Sequence, residues 1–592
     1  MQRNLSITSA INNNPIRPSS SSNVTNIANT QAKMHVLQPV PVPKGTPAFE
    51  EKREKVIAEL EASIPKDFWL PESFFKNPPL DVTSVPSTCG TLTPAEIIIT
   101  EQYDATGLAA AIAKKDLSAV AVATAFCKRA AIAHQLTCCL TQYFMDEALD
   151  RARYLDEYLA THGKTVGPLH GVPIGVKEHM AIKGHWSSWG YFDTRAWSEE
   201  DSLLVKILRN AGAVFYVKTN QPQGIMHLES DGWVGRVNNP HNVNLSSGGS
   251  TGGESALLAM KGSVLGLGTD IGGSIRGPSA FCGVFGYKPT SYTVTMKDMI
   301  PIGFPAELNV LCSIGPMSRT LRDVELFMQI VVGSKQYLHD PRIIPFPWTG
   351  LSTPRPNQPI KIGIMLNDGV ITPQPPVLRA LEWAQDRLSQ DSNFILKPFK
   401  PYRADLAMKY IGEMYWPDAG INTKVALKKT GEPMHPLTKT VLSPMTTDFV
   451  DTEGPEKEQT ATEITLQRVR RDDFRCEFVE SWNEQDVDVV LAPCFVGPAS
   501  KHDTAFYWNY TALWNFVDYP GIVVPTPVKV EGNEKYTSDW KALSEKDAQV
   551  RQLWEEGGFE NAPINLQVIG RRYHDNQLIG IVGELGKVLG FA

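Results

Sequence analysis

Between residues 171 and 270 the chain alternates between two kinds of signal. The apolar run GVPIGVK (171–177) precedes SLLVKILRNAG (202–212), then AVFYVKTN (213–220), GESALLAMKG (253–262) and SVLGLGTD (263–270). Short apolar runs bounded by glycine or polar turns read as buried strands, and the 3.6-residue spacing between them reads as helix. Strands alternating with helices point to an α/β fold, in which helices cover a sheet. The same signals return later: strand KIGIML and helix PVLRALEWAQDRL follow the linker GLSTPRPNQPI, and DVDVVLAPC (486–494) and GIVVPTPV (521–528) read as buried strands.

The flanks divide differently. Residues 1–48 are rich in Asn, Ser and Pro and read as a disordered arm. The arm has no acidic residue before Glu50, as in transit peptides, but the basic residues of its first 33 positions are only Arg3, Arg17 and Lys33, and Met34 is a second candidate start. Residues 49–95 read as a helix, EEKREKVIAELEASI, followed by a Pro-rich extended segment. Residues 96–592 read as one large domain, with helices expected over 106–134 and over LTQYFMDEALDRARYLDEYLATHG, and a helical side lobe around 400–480.

Charge and cysteine use narrow the function classes. Net charge is −7 with 42% hydrophobic and 20% charged residues, and there is no long basic run. Neither nucleic acid nor an anionic membrane surface is thus an expected partner. No apolar run reaches the ~18 residues of a membrane span. The eight cysteines contain no C-x-x-C pair, which argues against a zinc ribbon or disulfide framework and for a reducing, cytoplasmic setting.

Two glycine–serine clusters carry the chemistry. In GTDIGGSIRGPSAFCG (268–283), Ser274 lies just past the end of a predicted strand, where ligands of open α/β sheets sit. The run Asp270-Ile271-Gly272-Gly273-Ser274 forms a candidate nest of backbone N–H groups for an oxyanion. It is not a phosphate loop, since no Lys-Ser or Lys-Thr follows. In SSGGSTGGE (246–254), Thr251 and Glu254 have capping-box spacing, which places Ser250 near a helix N-terminus. A lone Gly-Gly-Ser is ordinarily a tight turn; two such clusters, with their serines 24 residues apart, are much less so.

A serine nucleophile needs a base, and none of the 12 histidines lies within either cluster. GGSTG (248–252) matches the nucleophile elbow G-x-S-x-G, but the elbow requires a preceding strand and NNPHNVNLSS reads as loop. Lys177, ending GVPIGVK, is a second candidate. A lysine titrating at ~10.4 is neutral only ~0.04% of the time at pH 7, so it serves only if burial lowers that value.

The segment GGSTGGESALLAMKGSVLGLGTDIGGSIRGPSAFCGVFGYKPT resembles the amidase signature, and GPLHGVPIGVKEHM resembles that family's lysine segment. KTNQPQ, SIGPMSRTLRD, DVVLAPC and APINLQVIGRRYHD are similar to its other blocks. The resemblance spans about residues 90–590 and is strongest to the fungal acetamidase and general amidase branch. It implies a large mixed, twisted sheet with helices on both faces and a Ser–cis-Ser–Lys triad. Ser274 is then the nucleophile, Ser250 the bridging serine after a cis peptide, and Lys177 the base. The N–H groups of Ile271, Gly272, Gly273 and Ser274 form the oxyanion hole, with Thr251, Asp270 and Arg276 supporting it. Thr251 replaces a serine common in the family and keeps a hydroxyl for hydrogen bonding. No metal or cofactor is implied; the partner is a small-molecule amide, and a homodimer is left open. Tyr415, Trp416, Tyr507 and Trp508 are candidate acyl-pocket residues, and small aliphatic or aryl amides are the expected substrates. The rivals are an acyltransferase of the same family, a histidine-dependent esterase, a tRNA amidotransferase subunit and an inactive relative.

Overall fold

The computed structural model describes residues 33–300, 307–356, 358–442, 457–532 and 534–591. The chain divides into two units, Met1–Met34 and His35–Ala592, and the features below belong to the second. The expected arm lies, for residues 1–32, outside the described residues.

Eleven strands form one mixed sheet: β1 (Leu140–Tyr143), β2 (Pro173–Lys177), β3 (Val214–Thr219), β4 (Leu265–Asp270), β5 (Phe285–Lys288), β6 (Ser313–Ser318), β7 (Ile360–Ile364), β8 (Phe394–Pro398), β9 (Val489–Pro493), β10 (Gly521–Lys529) and β11 (Pro563–Ile569). Their spatial order is β1-β3-β2-β4-β6-β5-β10-β11-β9-β7-β8, and helices surround them. β2 runs parallel to both β3 and β4, whereas β4, β5 and β6 pair antiparallel. Every residue of β2, β3 and β4 is buried, as expected for inner strands covered on both faces, which is why they read as near-continuous apolar runs.

Several expectations shift in detail. The helix expected over 106–134 is two helices, Ala105–Ala113 and Ala119–Thr137. Lys115 takes φ +65° between them, and Ser118 caps the second by accepting from Ala121 N. Leu140–Tyr143, expected as the start of the next helix, is instead strand β1, because pairing with β3 supplies its backbone bonds; the helix begins at Met145. The residues before Ser250, read as loop, include Asn242–Ser246, paired with Asn238–Asn239 in a two-stranded ribbon outside the large sheet.

The helix after Ser250 spans Gly252–Ala259, but the expected capping box is absent: the Thr251 side chain makes no cap bond. Glu254 points into the sheet instead. A Cβ on Gly175 of β2 would lie 2.3 Å from one carboxyl oxygen, and a Cβ on Gly266 of β4 2.1 Å from the other. Burial pushes this carboxyl up to about 7. Region 400–480 contains helices Ala404–Tyr415, Ile421–Thr430, Pro436–Leu442 and most of Ala461–Gln485; the first packs against Asn509–Phe516.

Candidate active site

Strand β4 ends at Asp270, and residues 271–275 turn into the helix Arg276–Cys282. The Asp270 carboxylate organises this turn by accepting from Gly273 N (2.8 Å), Ile275 N (3.2 Å) and Arg276 Nε (3.1 Å). Burial disfavours its charge, but the Arg276 guanidinium outweighs that and holds the carboxyl at about 2. Arg276 itself is fully buried and also donates to Thr511 O (2.9 Å), Asn515 Oδ1 (2.6 Å) and Gln567 Oε1 (3.2 Å). It orders the turn, and it does not border the cavity described below.

The carbonyls of the turn are tied down as well. Tyr415 Oη donates to Ile271 O (3.0 Å) and Thr511 Oγ1 to Gly272 O (2.7 Å). Gly273 has φ +134°, and a Cβ there would lie 2.1 Å from Thr511 Oγ1, so this position requires glycine. One expectation is corrected here. Gly273 was expected among four oxyanion donors, but its N–H is bonded to Asp270. Ile271, Gly272 and Ser274 remain as donors without a backbone acceptor among the described residues.

The second serine cluster lies alongside. The Gly249–Ser250 peptide bond is cis, as the resemblance implies. A Cβ on Gly249 would sit 2.3 Å from His227 O, so the neighbouring backbone leaves room only for glycine. Thr251 N donates to Ser274 O (3.2 Å) and links the two serine segments. The Thr251 hydroxyl, expected to keep a hydrogen bond, is buried without a partner among the described residues.

Because β2 and β4 are parallel neighbours, with Val176 opposite Leu267, the end of β2 meets the end of β4. Lys177 Nζ lies 2.6 Å from Ser250 Oγ and 3.2 Å from Thr269 Oγ1, and the side chain is fully buried. Burial pushes the amine down to about 7, with smaller opposing effects from Cys312 and Asp270. Ser274 is 8% exposed, and its hydroxyl has no hydrogen-bond partner among the described residues. It opens with Ser250 and Thr269 onto a cavity of about 530 Å³.

Apolar side chains dominate the cavity wall, among them Met226, Val294, Met299, Ile343, Met414 and Trp416. Tyr415 and Trp416 line it as expected. Tyr507 and Trp508 do not: both are buried in the core, where Tyr507 Oη bonds Asp368 Oδ2 (2.5 Å). Sequence reasoning missed Thr269, His179, Met226 and Cys312. Thr269 and His179 lie within two residues of Asp270 and Lys177, so proximity to those residues was an available signal; Met226 and Cys312 carried none. Among the described residues no cluster of His, Cys, Asp or Glu is arranged to hold a metal ion.

A strand-end lysine buried against one serine and a second serine on a glycine turn thus share one site. The profile of the Amidase family matches residues 121–579, and the chain belongs to that family. It is similar to the acetamidase of Emericella nidulans, with 35% identity over 557 residues covering 92% of this chain and 98% of that one. An amidase relative in Schizosaccharomyces pombe is 39% identical over 537 residues, covering 90% and 98%. Among solved structures, a fatty acid amide hydrolase superposes with TM-score 0.84 at 32% identity, covering 92% of this chain and 96% of that chain. The protein is an enzyme of the amidase type. Among the described residues, no helix is long and apolar enough to cross a membrane.

Proposed function

We propose that the protein hydrolyses carboxamides bearing an apolar acyl group, through an acyl-enzyme on Ser274. The observation that carries this reading is Lys177 Nζ at 2.6 Å from Ser250 Oγ in a fully buried position, with Ser250 and Ser274 opening onto one cavity. Burial lowers Lys177 to about 7, so a substantial part of it is neutral near neutral pH and able to take a proton. Ser274 Oγ forms a bond to the substrate carbonyl carbon while its proton passes to Ser250, whose own proton passes to Lys177. The carbonyl oxygen gains charge and is met by the free N–H groups of the 271–274 turn. Collapse breaks the C–N bond, and the departing nitrogen takes the proton back through Ser250 to leave as ammonia or amine. Water then attacks the acyl-enzyme by the same relay, releasing the acid and restoring Ser274.

The cavity supports the acyl preference. About 530 Å³ of mostly apolar wall far exceeds what an acetyl group fills, so burying a longer alkyl or an aryl acyl group contributes more binding. The relatives' names, acetamidase and fatty acid amide hydrolase, span short and long acyl groups. The test is ammonia release from primary amides of two to twelve carbons and from phenylacetamide, with Ser274→Ala and Lys177→Ala beside the parent enzyme. The expected result is kcat/KM rising with acyl size and a loss of at least about 10³-fold in both variants. Activity surviving in Lys177→Ala refutes the lysine relay, and a preference for acetamide refutes the acyl assignment.

A further inference from the structure

His179 stands two residues past Lys177 in GVPIGVKEHM, and no step above uses it. Its ring is 1% exposed and borders the same cavity as Ser250 and Ser274. A chain of hydrogen bonds sets its tautomer. The Ser188 carbonyl only accepts, so the Gln221 side-chain nitrogen faces it, at 3.0 Å. The Gln221 side-chain oxygen therefore faces His179 Nδ1, at 2.7 Å, and it too only accepts. Nδ1 must carry the proton, which leaves Nε2 as a bare lone pair. Burial, and then the nearby Lys177 charge, hold the ring well below the ordinary histidine range, so it remains neutral near pH 7. Among the described residues, Nε2 has no protein partner.

An acceptor without a protein partner that opens onto a largely apolar cavity is available to a donor on the ligand. At its reacting centre a carboxamide offers only its N–H as donor, since the carbonyl oxygen accepts from the oxyanion turn. An ester offers none. The proton that the departing nitrogen receives comes from the Lys177–Ser250 side, so that nitrogen must lie on this side of the site. His179 lines the cavity together with Ser250, and the Lys177 charge acts on its ring, which sets it on that side.

We infer that His179 Nε2 accepts a hydrogen bond from the N–H of the scissile carboxamide, making His179 a residue that selects amides over esters. This rests on the proposed Ser274 chemistry. Held in this way, the nitrogen presents its remaining face to Ser250, from which it is protonated as it leaves.

The test compares kcat/KM for phenylacetamide and its matched methyl ester in the parent enzyme, His179→Asn, His179→Gln and Ser274→Ala. Asparagine places its amide near the Nδ1 position, keeping a donor for Gln221 while removing the Nε2 acceptor. Glutamine extends an amide oxygen towards the Nε2 position. The expected result is an amide-to-ester ratio lowered about tenfold or more in His179→Asn, with the ester rate within about twofold of the parent, and a ratio restored at least in part in His179→Gln. Equal loss on both substrates, or no change in the ratio, overturns the inference. The ester rate also reports folding; should His179→Asn fail to fold, the ratio in His179→Phe decides in the same way. Activity retained in Ser274→Ala is a different failure, that of the nucleophile assignment.

Discussion

Lys177 offers the sharpest check, because its burial affects both stability and rate. In the folded protein its amine titrates near 7, against an ordinary value of 10.5. That displacement corresponds to about 5 kcal/mol between its charged and neutral forms. The sign follows from proton counting. Between pH 7 and 10.5 the unfolded chain holds the lysine proton and the folded chain does not. Stability therefore rises with pH across this window by up to about 1.4 kcal/mol per pH unit, while below pH 7 the whole cost of the buried charge is in place. Lys177→Met removes this dependence. It also leaves the Ser250 and Thr269 hydroxyls without their amine partner, a penalty of about 1–3 kcal/mol each that does not vary with pH. Urea denaturation of parent and variant should thus show the methionine enzyme's relative stability falling by about 2.5 kcal/mol between pH 7.5 and 9.5. In the parent enzyme, kcat/KM on phenylacetamide should fall about tenfold per pH unit below pH 7 and level off above about pH 8. A stability difference that does not move with pH, together with kcat/KM still climbing through pH 9, would falsify the buried-lysine argument.

Three other perturbations address the turn and the cavity. Gly273→Ala should destabilise the protein by about 1–3 kcal/mol in denaturant titrations, and adding Thr511→Ala should recover only the steric part, since φ +134° remains unfavourable to alanine. Arg276→Met strips the buried Asp270 carboxylate of its guanidinium and should cost about 3–5 kcal/mol; a normal melting curve would overturn the role given to this ion pair. Asp270 is held below its unfolded value, so its contribution is present above about pH 4 and is lost as pH falls towards 2; the Arg276→Met variant should lack that acid-sensitive component. Tyr415→Phe frees the Ile271 carbonyl and should lower kcat/KM about three- to tenfold with KM little changed, whereas an unchanged kcat/KM would show that this bond does not hold the 271–275 turn for the proposed chemistry.

Much of the candidate site is legible in the sequence. Lys177, Ser250 and Ser274 lie in glycine-rich or strongly apolar segments whose local pattern departs from ordinary strand, helix or turn. Asp270 and Arg276 were legible as neighbours of Ser274, and the structure joins them directly. The misreadings have a common source. Gly273 was counted as an oxyanion donor because a run of N–H groups in sequence looks equivalent; the position of the Asp270 carboxylate makes one of them different. Thr251–Glu254 had capping-box spacing, but glycines on two neighbouring strands open a slot that draws the Glu254 side chain into the sheet. Tyr507 and Trp508 were indistinguishable from Tyr415 and Trp416 by residue type, and only the packing of the helix Asn509–Phe516 puts the first pair in the core.

The sequence by itself determined the strand-and-helix alternation, the two serine clusters and the apolar surroundings of the lysine, because each is a local pattern of side-chain type and backbone freedom. The tertiary structure decided what those parts do together. Parallel pairing of β2 with β4 brings Lys177 to Ser250, which lies 73 residues further along the chain. Burial from every side then gives that lysine a titration range no local sequence encodes. The cavity belongs wholly to this second level, since its wall is assembled from segments as distant in sequence as His179, Met226, Ile343 and Trp416. Desolvation and cavity shape depend on atoms from all of these segments at once, so they exist only after the chain has folded.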